Sequence, residues 1–223
     1  MTDRATGLAV HVGADVLASP QHRDWPPVRS CRDTLARMTR LCASAGVDRQ
    51  ECLAGPHATL ARVRSAIAGA AATLAPDGLL VLTFAGHSER ARPGTEAGWC
   101  LVDGTLTFAG LAAALAGAPP SACVIVVAAT CYAAALARHP DWPCTVVLLA
   151  ACDDYQIVLN SPRSEFIQRL EAAAGATDYT SLRDRLCHDT PDAERPRVWT
   201  NSQTAWSHRP FRPIASPPTH QHR

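Results

Sequence analysis

The sequence predicts an α/β fold: a single three-layer α/β/α sandwich with a mostly parallel central sheet. Three observations carry that prediction. Runs of consecutive apolar residues recur at 8–12 (LAVHV), 79–85 (LLVLTFA), 123–128 (CVIVVA) and Thr145–Ala150 (TVVLLA). A strand apolar at every position is buried on both faces, as in a parallel sheet covered by helices. Between the runs lie stretches with apolar residues at three- and four-residue steps, the spacing of one helix face. Finally, 47% of the 223 residues are hydrophobic and 18% charged, enough apolar side chain to bury a core and too much for disorder.

Taken in order, residues 8–12 read as a buried strand ending at Gly13, and Pro20, Pro26 and Pro27 turn the next stretch into a loop. Leu35, Met38, Leu41 and Cys42 form a helical stripe that Gly46 stops, with Ser30 or Asp33 as candidate cap. Arg49–Ala54 is a second short strand. Thr59 opens a helix with Leu60, Val63, Ile67 and Leu74 on one face, closed by Pro76, Asp77 and Gly78. The run 79–85 is a central strand leading straight into Gly86, His87 and Ser88. Residues 106–115 read as a helix broken by Pro119 and Pro120. The run 123–128 is another buried strand, with Thr130 and Cys131 at its end and a helix starting at Ala133. Thr145–Ala150 leads to Asp153 and Asp154; 165–174 and 181–187 read as helices, and 196–206 holds a last edge strand. The alternation places one domain at 1–210 and a Pro/His/Arg-rich tail at 211–223 that frays.

Composition excludes several functions. The net charge of +1 argues against a nucleic-acid partner. All 21 basic residues are arginine, so there is no lysine for a Schiff base, a phosphate-binding loop or a serine–lysine dyad. Neither glycine-rich phosphate fingerprint follows a predicted strand. The nine cysteines are odd in number and contain no CxxC, which argues against a disulfide framework and a zinc ribbon. No apolar leader core opens the chain, and the longest apolar stretch, 123–137, falls short of the roughly 18 residues that a membrane span needs. These features predict a soluble, reduced, cytoplasmic protein with no membrane span.

Open parallel sheets gather ligands at the carboxyl ends of their strands. Three such ends carry reactive or charged groups: Gly86–His87–Ser88, Thr130–Cys131 and Asp153–Asp154. His87 and Cys131 lie 44 residues apart with one helix between them. Consecutive parallel strands joined by a crossover are neighbours about two-thirds of the time. Neighbours run about 4.8 Å apart, which lets both side chains reach one reacting bond.

These motifs resemble those of the caspase-like cysteine peptidases, the group that contains the metacaspases and bacterial caspase homologues. Residues 79–88 (LLVLTFAGHS) are similar to the family's strand and Phe-[Ser/Ala]-Gly-His-Gly turn, and 124–131 (VIVVAATC) to the strand ending in its catalytic cysteine. The interval of 44 residues compares with about 50 between that histidine and cysteine. The likeness extends over residues 7–210. It implies a cysteine endopeptidase acting on a protein or peptide substrate, in regulated proteolysis or bacterial defence. Cys131 would be its nucleophile, His87 its acid–base, and the backbone amides of Ser88 and Cys131 its oxyanion hole. That chemistry calls for no metal and no cofactor. Three positions depart from the pattern: Ser88 replaces the glycine after histidine, Ala129 an acidic residue of the metacaspase pocket, and Tyr132 opens a segment lacking the later glycine. With Ala129 uncharged, Asp153 and Asp154 are the candidate substrate-binding residues for a basic side chain before the cut, though a capping or loop role suits them equally. The alternative is a catalytically inactive caspase-like module that binds partner proteins.

Overall fold

The computed structural model describes residues 5–47, 49–93, 95–139, 141–158, 161–188, 190 and 195–213. The order is β1 (Ala5–Ala14), α1 (Cys31–Ser44), β2 (Arg49–Ala54), α2 (Leu60–Thr73), β3 (Leu74–Gly86), β4 (Ser88–Glu89), β5 (Gly98–Leu101), β6 (Gly104–Thr107), α3 (Phe108–Ala114), β7 (Cys123–Ala129), β8 (Thr145–Ala150), α4 (Glu165–Ala173), α5 (Tyr179–Cys187) and β9 (Arg197–Thr200). A six-stranded sheet runs β2-β1-β3-β7-β8-β9, parallel throughout except for the antiparallel edge strand β9. This is the three-layer α/β/α sandwich that the apolar runs predict.

Side-chain alternation sorts each strand between two cores. Leu80, Leu82 and Phe84 of β3, with Val124 and Val126 of β7, join the helix faces of Val63, Ile67 and Ala71 in α2 and Leu111 in α3. On the other face Leu79, Val81, Ile125 and Val127 meet Met38 and Cys42 of α1, Ile167 and Leu170 of α4, and Leu182 and Leu186 of α5.

Several elements differ from the sequence reading, each for a local reason. Ser30 occupies the position before α1 without a capping bond, and Asp33 turns along the helix to Arg37 Nε at 3.0 and 3.1 Å. Helix α2 ends at Thr73 rather than at the Pro76 turn, because Leu74 already pairs with Ala5 of β1. Leu106 belongs to β6, whose Thr107 then caps α3 by accepting from the Gly110 N–H at 3.0 Å. Strands β4, β5 and β6 form a small antiparallel sheet in the connection between β3 and α3. It is fastened to the main sheet by Phe84 and Trp99, whose rings stack 4.6 Å apart within 5° of parallel. At the other end Phe211 is buried and Arg212 Nη1 donates to the Ala45 carbonyl at 2.9 Å, so ordered packing passes residue 210. His220, His222 and Arg223 of the tail lie outside the described residues.

One buried polar chain crosses the sheet. Thr83 Oγ1 donates to His11 Nδ1, His11 Nε2–H donates to Gln50 Oε1, and the Gln50 amide donates to the carbonyls of Thr39 and Val47. Every member is satisfied, so burial of a neutral imidazole is tolerated. Burial holds the His11 pKa below the ordinary 6.5, with the Gln50 bond opposing it. The unfolded chain therefore takes up a proton at pH values where the folded chain does not, and stability declines as pH falls below the ordinary imidazole range. Denaturant unfolding across that range should show the decline, with a shallower slope in His11→Gln; equal slopes in both proteins contradict it.

Candidate functional site

The last registered pair between β3 and β7 is Ala85 with Ala129. Beyond it the two chains remain laced together. Thr130 Oγ1 donates to the Gly86 carbonyl at 2.8 Å, and Ser88 Oγ donates to the Cys131 carbonyl. Gly86 is required by space: a Cβ there would lie 2.7 Å from the Phe84 ring and 3.2 Å from the Ala14 carbonyl. The segments bearing His87 and Cys131 thus leave one rim of the sheet side by side. His87 and Cys131 are both half-buried, whereas Cys123, Cys144 and Cys152 are buried in the core.

Each side chain is oriented by backbone. His87 Nε2 lies 2.7 Å from the Pro26 carbonyl oxygen. A carbonyl only accepts, so Nε2 carries the hydrogen and the neutral ring presents its lone pair at Nδ1. Trp25 sets its ring edge-on to His87, with centroids 5.1 Å apart. Cys131 Sγ accepts the Val158 N–H at 3.4 Å. That donor stabilises a thiolate, yet burial outweighs it and holds the Cys131 pKa above the ordinary 9.0. Among the described residues no hydrogen bond joins the thiol to the imidazole, so the thiol is not primed in this state. Pro26 O and Val158 N–H have no counterpart in the sequence reading, since backbone groups leave no residue-type signature; the Trp25-Pro26-Pro27 break alone marks the loop.

The departures from the peptidase pattern resolve differently. Ser88 is in extended backbone within β4, outside the left-handed region, and its hydroxyl makes the bond to the Cys131 carbonyl. Because Cys100 N–H donates to the His87 carbonyl at 2.9 Å, Ser88 and Trp99 form a non-hydrogen-bonded pair, and the ladder leaves the Ser88 N–H unused. Tyr132, by contrast, has φ 51°, a left-handed conformation that costs a non-glycine residue of order 1–3 kcal/mol. Its amide is held by the Gln156 carbonyl at 2.8 Å.

Asp153 and Asp154 both stand at the end of β8 but neither is unpaired. Asp153 Oδ2 accepts from Arg197 Nε at 3.0 Å, and Asp154 binds Arg138. Asp154 is 12% exposed and its arginine 77% exposed. They border a cavity of about 700 Å³ that includes Glu96, Phe108 and Tyr155. A smaller hollow of about 180 Å³ has Ser30, Ala129, Val158, Arg163 and Glu165 in its wall.

A three-layer sandwich of this topology is a caspase-like fold, and here histidine and cysteine stand at adjacent strand ends. Solved structures share it, a Geobacter protein and a caspase among them. Protein GSU0716 from Geobacter sulfurreducens superposes with a TM-score of 0.80 at 20% identity, covering 95% of this chain and all 100% of its own. Caspase-1 from Spodoptera frugiperda gives 0.57 at 13% identity, covering 89% and 88%. At these identities the likeness is one of fold. No protein-family model and no curated protein matches the sequence. Among the described residues no helix is long and apolar enough to cross a membrane.

All nine cysteines are free thiols, but only Cys52, Cys131 and Cys187 are accessible. Burial pushes Cys31, Cys42, Cys100 and Cys123 up to about 12, and Cys144 and Cys152 to about 11. Iodoacetamide should therefore mark Cys52, Cys131 and Cys187 alone in the folded protein. The Cys131 rate should keep rising on the alkaline side of an ordinary thiol, because a raised pKa lowers the thiolate fraction at any given pH. Peptide mapping against time reads both; rapid Cys131 labelling that is flat with pH contradicts the resting state described.

Proposed function

We propose that the protein is a cysteine endopeptidase acting on a polypeptide. What supports this reading is the pairing of a half-buried imidazole, held in one tautomer by Pro26, with a half-buried thiol on the next strand of a caspase-like sheet. Substrate binding brings the thiol to Nδ1, which takes its proton as sulfur attacks the scissile carbonyl carbon. The N–H groups of Ser88 and Cys131, neither of them engaged in a sheet ladder, receive the oxyanion; one such donor is typically worth about 10²–10³ in rate. Nδ1–H then protonates the leaving amine as the C–N bond breaks, leaving a thioester on Cys131. Water, giving a proton to Nδ1, cleaves that ester and restores the thiol. The exposed large apolar residues Val16, Tyr155 and Ile157, at 56%, 65% and 62%, follow β1 and β8 at this same rim, where an extended chain would lie.

A second reading, an inactive partner-binding module on the same surface, draws on the raised Cys131 pKa and the missing thiol–imidazole bond. One experiment separates them. Incubated with a proteome-derived peptide mixture, the parent protein should generate new N-termini. Cys131→Ala should generate none, and His87→Ala should be slowed by about 10²–10⁴. Identical termini from parent and Cys131→Ala, or none from the parent, remove the peptidase.

The preferred side chain before the cut is basic in this proposal, with Asp154 as its partner and Asp153 beside it. The exposed Arg138 occupies the place that a substrate guanidinium would take on the half-buried carboxylate, so it acts as a built-in competitor. Arg138→Ala should lower KM for substrates with Arg or Lys at that position, and Asp154→Ala should erase the preference. An unchanged preference in Asp154→Ala discards this assignment.

A further inference from the structure

We propose that His22, Glu89 and Cys100 form a binding site for one zinc ion, which ties the loop after β1 to the small sheet behind His87. A ring nitrogen of His22, a Glu89 carboxylate oxygen and Cys100 Sγ all lie within 4.8 Å of one another, and His22 Nε2 is 2.9 Å from Glu89 Oε1. Nitrogen, oxygen and sulfur donors together are the set that zinc accepts, and bonds of about 2.0–2.3 Å place tetrahedral ligand atoms roughly 3.3–3.8 Å apart. The His22–Glu89 pair, at 2.9 Å, would open by a few tenths of an ångström, and a pair with sulfur at the 4.8 Å limit would close by about 1.3 Å. The fourth position remains for water.

The surroundings suit an ion as well as the ligands do. Ser19 Oγ lies 2.9 Å from His22 Nδ1, and Thr105 Oγ1 donates to the second Glu89 oxygen at 3.3 Å. Without metal, His22 Nε2–H donates to Glu89 Oε1 at 2.9 Å and the serine hydroxyl donates to Nδ1. With metal, the proton moves to Nδ1, the hydroxyl accepts it, and the Nε2 lone pair faces the ion. A hydroxyl serves either tautomer, and such outer partners orient metal-bound imidazoles. His22 is 1% and Cys100 0% exposed, so the site must be electrically balanced. One carboxylate and one thiolate neutralise the divalent charge. Binding exchanges the Cys100 thiol proton for the metal.

The ion would sit behind the imidazole rather than at the reacting bond. Trp25 meets His22 edge-on at 4.8 Å and His87 at 5.1 Å, and Cys100 N–H holds the His87 carbonyl. The site therefore stands whether or not the protein cleaves peptides.

The test uses the full chain carrying Cys52→Ser, Cys131→Ala and Cys187→Ser, which removes the accessible thiols. Dialysed against zinc and passed through gel filtration, it should retain one zinc per chain by elemental analysis. Loaded with cobalt, it should show a thiolate charge-transfer band. Cys100→Ala should abolish the band, and Glu89→Gln, a near-isosteric change at a part-exposed position, should weaken zinc retention by tenfold or more. Failure to retain zinc, or a stoichiometry and band unchanged in both variants, overturns the proposal and leaves a hydrogen-bonded core cluster.

Discussion

Seven consecutive residue pairs between β3 and β7, from Leu79 with Cys123 to Ala85 with Ala129, set where the segments bearing His87 and Cys131 leave the sheet. A slip of one residue would exchange the two buried faces of β7, sending Val124 and Val126 to the core now filled by Ile125 and Val127. Each core is filled by the side chains that the present register sends to it. The alignment is therefore inherited without choice by the residues that follow, and the Thr130–Gly86 and Ser88–Cys131 bonds extend it beyond the last strand pair.

The hairpin formed by β4 and β5 acts as a second brace. Its Trp99 stacks on Phe84, its Cys100 amide holds the carbonyl of His87, and its Glu89 reaches His22 in the loop after β1. That loop in turn supplies Pro26 to the imidazole. His87 is thus held by three groups, Trp25 and Pro26 of that loop and Cys100 of the hairpin, from two separate stretches of chain. The Cys131 sulfur is held more lightly, by one amide beside a strained neighbour, while its carbonyl takes the Ser88 hydroxyl. The difference matches their roles in the proposed chemistry, where a base must keep one tautomer while a nucleophile must approach its target.

How much of this could be read from the residues alone follows from the range of each signal. Strands β3, β7 and β8 announce themselves because burial on both faces demands unbroken apolar runs. The helix faces of α1 and α2 show the expected period, and histidine and cysteine at strand ends follow from where those runs stop. Strands β4, β5 and β6 are two to four residues long, too short for any periodicity. The ion pairs of Asp153 with Arg197 and Asp154 with Arg138 depend on which loops meet, which no local pattern encodes. Ser88 also proved compatible with its position for a reason invisible in sequence: the backbone there is extended, and the strain of the segment falls on Tyr132 instead.

The two margins of the central sheet differ in what they would tolerate alongside them. Strand β2 turns Arg49, Glu51 and Cys52 to solvent, so another polypeptide annealing there would have to desolvate opposite charges along its length. At the far side β9 offers four residues, already reversed in direction and flanked by the short helical turn Thr204–Ser207. Uncontrolled stacking of molecules into ribbons is thereby discouraged at one margin by polarity and at the other by brevity.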